Sequence, residues 1–137
     1  MEYKGIDRRA YKRIKIEGAT VTYKEGRFFF SRKQYVEEFY PVVEISRGGV
    51  RIMGKRLFTI ASKISLKISI PDESSPLILR GRVRWTSLNP AMNYKYQIGI
   101  QFDPFALKKG CNHPEVLEII MKLEQKFLTN KKKSVNH

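Results

Sequence analysis

Cysteine is almost missing from this chain of 137 residues: Cys111 stands alone, so no internal disulfide can hold the fold together. The chain starts Met1-Glu2-Tyr3-Lys4-Gly5, with no apolar stretch behind a basic start, which gives no sign of a secretory signal. Together these point to a reducing, cytoplasmic setting. No run of about 18 apolar residues occurs, so no helical membrane span is expected. Histidine is nearly as scarce, with only His113 and His137, and neither sits at metal-ligand spacing from another His or from Cys111. There is no Gly-rich loop ending in Lys-Ser/Thr and no Gly-x-Ser-x-Gly elbow. Acidic residues are few and scattered, with no pair placed for acid–base work. The expectation is a protein that is not an enzyme and carries neither metal nor cofactor.

What the chain does have is basic charge. Its 27 Lys and Arg face 13 Asp and Glu, for a net charge of +14, an excess that favours anionic partners such as nucleotides, nucleic acid or acidic lipid heads. With 42% hydrophobic and 12% aromatic residues, the chain suits one folded domain. Period-two alternation marks strands: Ala19, Val21 and Tyr23; Ile64, Leu66, Ile68 and Ile70; Leu77, Leu79, Val83 and Trp85; and Tyr94, Tyr96, Ile98, Ile100 and Phe102. Such half-apolar strands with short turns predict an antiparallel barrel or sandwich. Near the C-terminus the period becomes helical, with Val116, Ile120, Leu123 and Phe127 on one stripe, Pro114 in the first turn and Asn112 or His113 near the cap. A helix is predicted over about 114–129, packed on the barrel, followed by a basic disordered tail over 130–137. The aromatic-rich segment 25–41 reads as a long hairpin whose rings complete the core.

Two segments carry candidate chemistry. Arg8, Arg9 and Arg13 lie in a basic stretch near the N-terminus, and guanidinium groups match phosphate oxygens two at a time and stack on bases. Further on, Glu44-Ile45-Ser46-Arg47-Gly48-Gly49 is a polar turn between two short apolar strands. It sets a carboxylate, a hydroxyl and permissive backbone close together, groups suited to the donor edge of a guanine. Each segment alone is also what a solvated basic stretch or an ordinary hairpin turn would look like.

Together they resemble the PilZ family, which carries Arg-x-x-x-Arg ahead of its barrel and Asp/Asn-x-Ser-x-x-Gly some tens of residues later. Arg9 and Arg13 match the first motif, and Glu44, Ser46 and Gly49 the second. Gly81-Arg82-Val83-Arg84-Trp85 and Tyr96-Gln97-Ile98-Gly99-Ile100-Gln101-Phe102 look like the family's later strands, so the resemblance spans residues 7–105.

The resemblance implies a mainly β fold, a six-stranded antiparallel Greek-key β-barrel with a C-terminal α-helix. It divides the chain into a flexible arginine-rich switch segment at 1–13 and a barrel with its helix at 14–129. It also implies a receptor that binds cyclic di-GMP without altering it, orders the switch segment on binding, and signals to a partner protein. Arg9 and Arg13 would then grip phosphates and stack on guanine, while Glu44, Ser46 and Gly49 meet the base from the turn. Arg8 resembles the extra arginine of members that bind an intercalated ligand dimer. Trp85 either borders the pocket or fills the core. Position 44 departs from the family pattern, since Glu carries one methylene more than Asp, and binding weaker than with Asp is expected. Two other readings use the same residues: a basic barrel binding single-stranded nucleic acid, which leaves the Glu-x-Ser-x-x-Gly turn unused, and a PilZ adaptor that has lost nucleotide binding.

Overall fold

The alternation in the middle of the chain is realised as six strands: β1 (Thr20–Glu25), β2 (Tyr40–Ile45), β3 (Gly49–Gly54), β4 (Lys63–Ser69), β5 (Leu77–Leu88) and β6 (Tyr96–Phe102). A helix, α1 (Pro114–Val135), follows them. The structure is a computed structural model that describes residues 11–25, 38–89 and 93–135, with side chains as far as Phe127. Arg8, Arg9 and most of the aromatic segment 25–41 lie outside the described residues.

The strands close into an antiparallel barrel in the order β1-β2-β3-β6-β5-β4. Strands β4, β5 and β6 form a meander, and β3 lies beside β6, which is Greek-key connectivity. The expected inward residues fill the interior: Val21, Leu66, Ile68, Leu79, Val83 and Ile98 are fully buried. Each such aliphatic side chain contributes about 1.5–3 kcal/mol relative to leaving it in water.

Two strands break their alternation, and each break turns a candidate site residue outward. On β2, Val42 pairs with Ile52 but Glu44 with Arg51, so Val43 is an extra residue in a bulge. Strict alternation would put Glu44 on the same inward face as Val42; the bulge turns it outward and leaves Ile45 to go in. On β5, Val83 pairs with Ile100 but Trp85 with Gly99, a bulge at Arg84. Trp85, which shares the parity of the core residues Leu79 and Val83, is thereby turned to the outside, where it is 42% exposed.

Helix α1 starts at Pro114 as expected and continues past residue 129 to Val135, through the lysines where the sequence predicts a tail. Lysine is a good helix former and sits favourably at a helix C-terminus, so the basic run does not oppose the extension. Ile120 and Leu123 are buried against the barrel, with Val116, Ile119 and Phe127 packed beside them.

The helix cap falls to His113, whose Nδ1 accepts a hydrogen bond from the backbone N–H of Glu115 at 3.1 Å. Asn112 serves the barrel instead. Its Oδ1 accepts from the Arg80 N–H at 2.7 Å, and its Nδ2 donates to the carbonyls of Arg80 and Asp103, both at 2.9 Å. The side chain is buried and ties the approach of α1 to β5 and to the end of β6.

Leaving a buried polar group unsatisfied costs about 1–3 kcal/mol. Asn112→Ala takes the side-chain partner from the Arg80 N–H and the Asp103 carbonyl, while the Arg80 carbonyl keeps its bond from the Asp103 N–H, and is expected to lower stability by roughly 2–4 kcal/mol. Urea unfolding checks this through a lower midpoint at unchanged slope.

Candidate functional site

Among the described residues, the N-terminal segment first pairs with the barrel backbone at Ile14. Its N–H donates to the Ile45 carbonyl at 2.8 Å, and the Ile45 N–H donates back to the Ile14 carbonyl at 2.9 Å. Ile14 and Ile16 are buried, which fixes the attachment by apolar packing as well. The bridge is antiparallel, so Arg13 comes to lie opposite Ser46 and reaches Glu44 on the diagonal with its long side chain. Arg13 Nη1 lies 3.5 Å from Glu44 Oε2. Tyr11, two residues further out, rests its ring over Gly48.

The turn between β2 and β3 is closed by the Ser46 N–H donating to the Gly49 carbonyl at 2.8 Å, and the Ser46 hydroxyl accepts from the Gly48 N–H at 3.3 Å. Gly49 is required by close approach: a Cβ there would run into the Ile100 carbonyl of β6. A similar constraint holds at Gly99, whose outer face is covered by the indole of Trp85, so that any side chain there would push the tryptophan off.

Successive strand pairs carry Glu44, Arg51, Gly99 and Trp85 as one row across β2, β3, β6 and β5. Along this row runs an outer groove of about 300 Å³. Of the sequence-predicted residues, Arg13, Glu44, Ser46, Gly49 and Trp85 all line it. Arg8 and Arg9 lie outside the described residues. The groove also takes in Arg51, Arg84 and Gln101, which the motifs do not single out. Arg51 could have been found by parity, since it lies two residues after Gly49 on the same outward face of β3. Arg84 is the bulge residue of β5, which no sequence signal marks.

Three arginines and one carboxylate line the groove, so its charge suits an anion. Glu44 is the balancing charge: Arg51 Nη2 donates to its Oε1 at 3.0 Å, and Arg13 approaches its other oxygen. Arg51 Nη1 also reaches Gln97 Oε1 at 3.3 Å, and its buried Nε has no partner. Arg84 Nη1 donates to Gln101 Oε1 at 2.9 Å. The Arg13 side chain is 65% exposed, so its pair with Glu44 holds it only lightly.

Arg47 belongs to the same turn but points away, to Glu124 on α1. Its Nε and Nη2 donate to the two carboxylate oxygens, each at 2.9 Å. Hydrogen bonding to Glu124 holds the guanidinium above the ordinary arginine range. Among the described residues, no three His, Cys, Asp or Glu gather as a metal would need, and no helix is long and apolar enough to cross a membrane.

Three solved structures share this barrel. The Klebsiella pneumoniae MrkH–c-di-GMP complex superposes with a TM-score of 0.62 at 16% identity, covering 90% of this chain and 54% of that one. The Bacillus subtilis inhibitor of motility MotI/DgrA gives 0.60 at 15% identity, over 87% of this chain and 51% of that one. The PilZ domain with c-di-GMP of YcgR from Escherichia coli gives 0.58 at 11% identity, over 94% and 98%. The chain thus spans about half the length of MotI/DgrA and of MrkH. No curated protein matches it in sequence. At these identities the neighbours establish the barrel fold. The family model for the PilZ domain matches residues 7–109, a stretch that takes in all six strands and every residue of the groove, and the chain belongs to the PilZ domain family.

Proposed function

We propose that this chain is a receptor for cyclic di-GMP, held in the groove between the β2–β3 turn, Trp85 and the arginine segment. The observation that carries the reading is convergence. Arg13 and the Glu44-x-Ser46-x-x-Gly49 turn are far apart in sequence and line one groove, together with the indole of Trp85. A cyclic dinucleotide offers what such a lining can use: two phosphates for arginines, and a purine with an N–H edge for a carboxylate and a flat face for an indole. Three arginines less one carboxylate leave the described lining at +2, opposite to the charge of one ligand. The neighbours MrkH and YcgR, solved with c-di-GMP, support the same choice.

In this reading Arg9 and Arg13 grip the phosphates, and Glu44, Ser46 and Gly49 meet a guanine. Arg8 supplies charge for a second, intercalated ligand, since two stacked molecules double the negative charge. Residues 1–13 order over the nucleotide, and the altered surface passes the signal to a partner protein in the cytoplasm. The chain binds its ligand without transforming it.

Losing a charged, desolvated phosphate contact costs about 2–5 kcal/mol, or some tens to thousands of fold in affinity. Arg9→Ala and Arg13→Ala are each expected to show such losses in calorimetry with cyclic di-GMP, and unaltered affinity in both would sink the assignment. The same titration gives one or two ligands per chain. No heat from the unaltered protein would instead favour the adaptor that has lost nucleotide binding. If single-stranded oligonucleotides bound with a steep salt dependence and cyclic di-GMP failed to compete, the nucleic-acid reading would replace this one.

Glu44 sits within reach of both Arg51 and Arg13, so it competes with the ligand for Arg13. Aspartate, one methylene shorter, draws back from both. Glu44→Asp is expected to tighten binding several-fold in the same calorimetry; equal or weaker binding would show that the longer side chain serves the base equally well.

A further inference from the structure

Arg47 lies inside the motif turn, between Ser46 and Gly48, yet it does not line the groove. Its guanidinium is committed in a two-point fork to Glu124, 77 residues away on α1. The Glu124 side chain is only 5% exposed, whereas Arg47 is 37% exposed. A buried carboxylate holds such a partner firmly, because releasing it would leave an uncompensated charge. The turn contains Gly48 and Gly49, which lose the most freedom on ordering. Its own closure is one backbone bond from the Ser46 N–H to the Gly49 carbonyl and two long bonds of the Ser46 hydroxyl, at 3.3 and 3.4 Å, and β6 adds a bond from the Phe102 N–H to the Gly48 carbonyl.

We infer that Arg47 and Glu124 are positioning residues for the groove, by which helix α1 holds the Ser46–Gly49 turn in the conformation that binds ligand. The inference rests on the receptor reading above but makes a claim of its own about the unliganded turn. Pre-ordering the turn removes an entropic cost from binding. By linkage, ligand in the groove tightens the turn and stabilises α1 through the fork by the same factor. The C-terminal helix thereby becomes a part of the protein that senses occupancy of the groove.

The test pairs Glu124→Gln, nearly isosteric, with Glu118→Gln, which removes the same charge from an exposed position of α1. Loss of a negative charge alone strengthens binding of an anion, so a positioning effect has the opposite sign. Glu124→Gln is expected to weaken cyclic di-GMP binding in calorimetry by about 5- to 150-fold, the usual span for coupled sites. Glu118→Gln should bind as the unaltered protein does or slightly better. Without ligand, hydrogen exchange at the Ser46 and Gly48 amides should quicken in Glu124→Gln and not in Glu118→Gln. If Glu124→Gln does not fold, Arg47→Lys, which keeps the charge and gives up the fork, is read in the same way. Unchanged exchange at the turn overturns the inference whatever the ligand does, and so does wild-type affinity in the variant. Faster exchange in a protein whose unaltered form gives no binding heat would remove the receptor reading and leave the brace standing.

Discussion

The reciprocal backbone pair between Ile14 and Ile45 is the contact on which the groove depends. It is a single bridge of two hydrogen bonds, reinforced by the burial of both side chains. It sets where residue 13 sits: with Ile14 opposite Ile45 in an antiparallel bridge, Arg13 lies opposite Ser46, on the motif turn, and its side chain reaches Glu44 on the diagonal. A basic segment tethered anywhere else would add charge to the surface without aiming it. The bridge also marks where the chain enters the core: Ile14 and Ile16 are buried, whereas Tyr11 is 49% exposed.

Much of the barrel is legible in the sequence because burial imposes a period of two. Val21, Leu66, Ile68, Leu79 and Ile98 all sit where alternation puts them. What alternation cannot reveal is where it stops. The bulges at Val43 and Arg84 each insert one residue, and each reverses the facing of the next functional side chain, Glu44 in one case and Trp85 in the other. Parity alone puts both in the core, where an ionised carboxylate would be costly and an indole ordinary. No residue type marks either bulge. Val43 is a common strand former and Arg84 a common exposed cation. The motif pattern points to Glu44 where periodicity does not, and it leaves Trp85 undecided between core and pocket.

The two bulges flank the pairing of β3 with β6, and that pairing is unusually close. Gly49 lets β3 approach the Ile100 carbonyl, and Gly99 leaves room for the indole above it. The groove floor is therefore built from missing side chains, with Arg51 and Trp85 rising on either side of Gly99 in the paired row. The motif glycine thus has a structural role that would hold with no ligand present, which is why a glycine in such a turn is weak evidence of a site until its neighbours are known. Arg47 teaches the converse. It stands inside the motif, yet its partner is Glu124, and only the position of α1 reveals that.

Glutamate at position 44 belongs to the same geometry. The bulge places its Cα across from Arg51, and the longer side chain lets one carboxylate oxygen meet the Arg51 guanidinium at 3.0 Å while its other oxygen faces Arg13 at 3.5 Å. This carboxylate lies between two of the three cations of the groove and cancels one unit of their charge, which eases their mutual repulsion. The two contacts are not equal. Arg51 is two-thirds buried and also bound to Gln97, whereas Arg13 is mostly exposed and the more easily drawn away. In the receptor proposed above, the exchange of partners would thereby be directed: Arg13 would leave for the ligand while Arg51 keeps the carboxylate in place. There the extra methylene that sets this chain apart from the family pattern would weaken the grip on the nucleotide by holding Arg13 in competition, while in the empty groove it brings one carboxylate within reach of both cations.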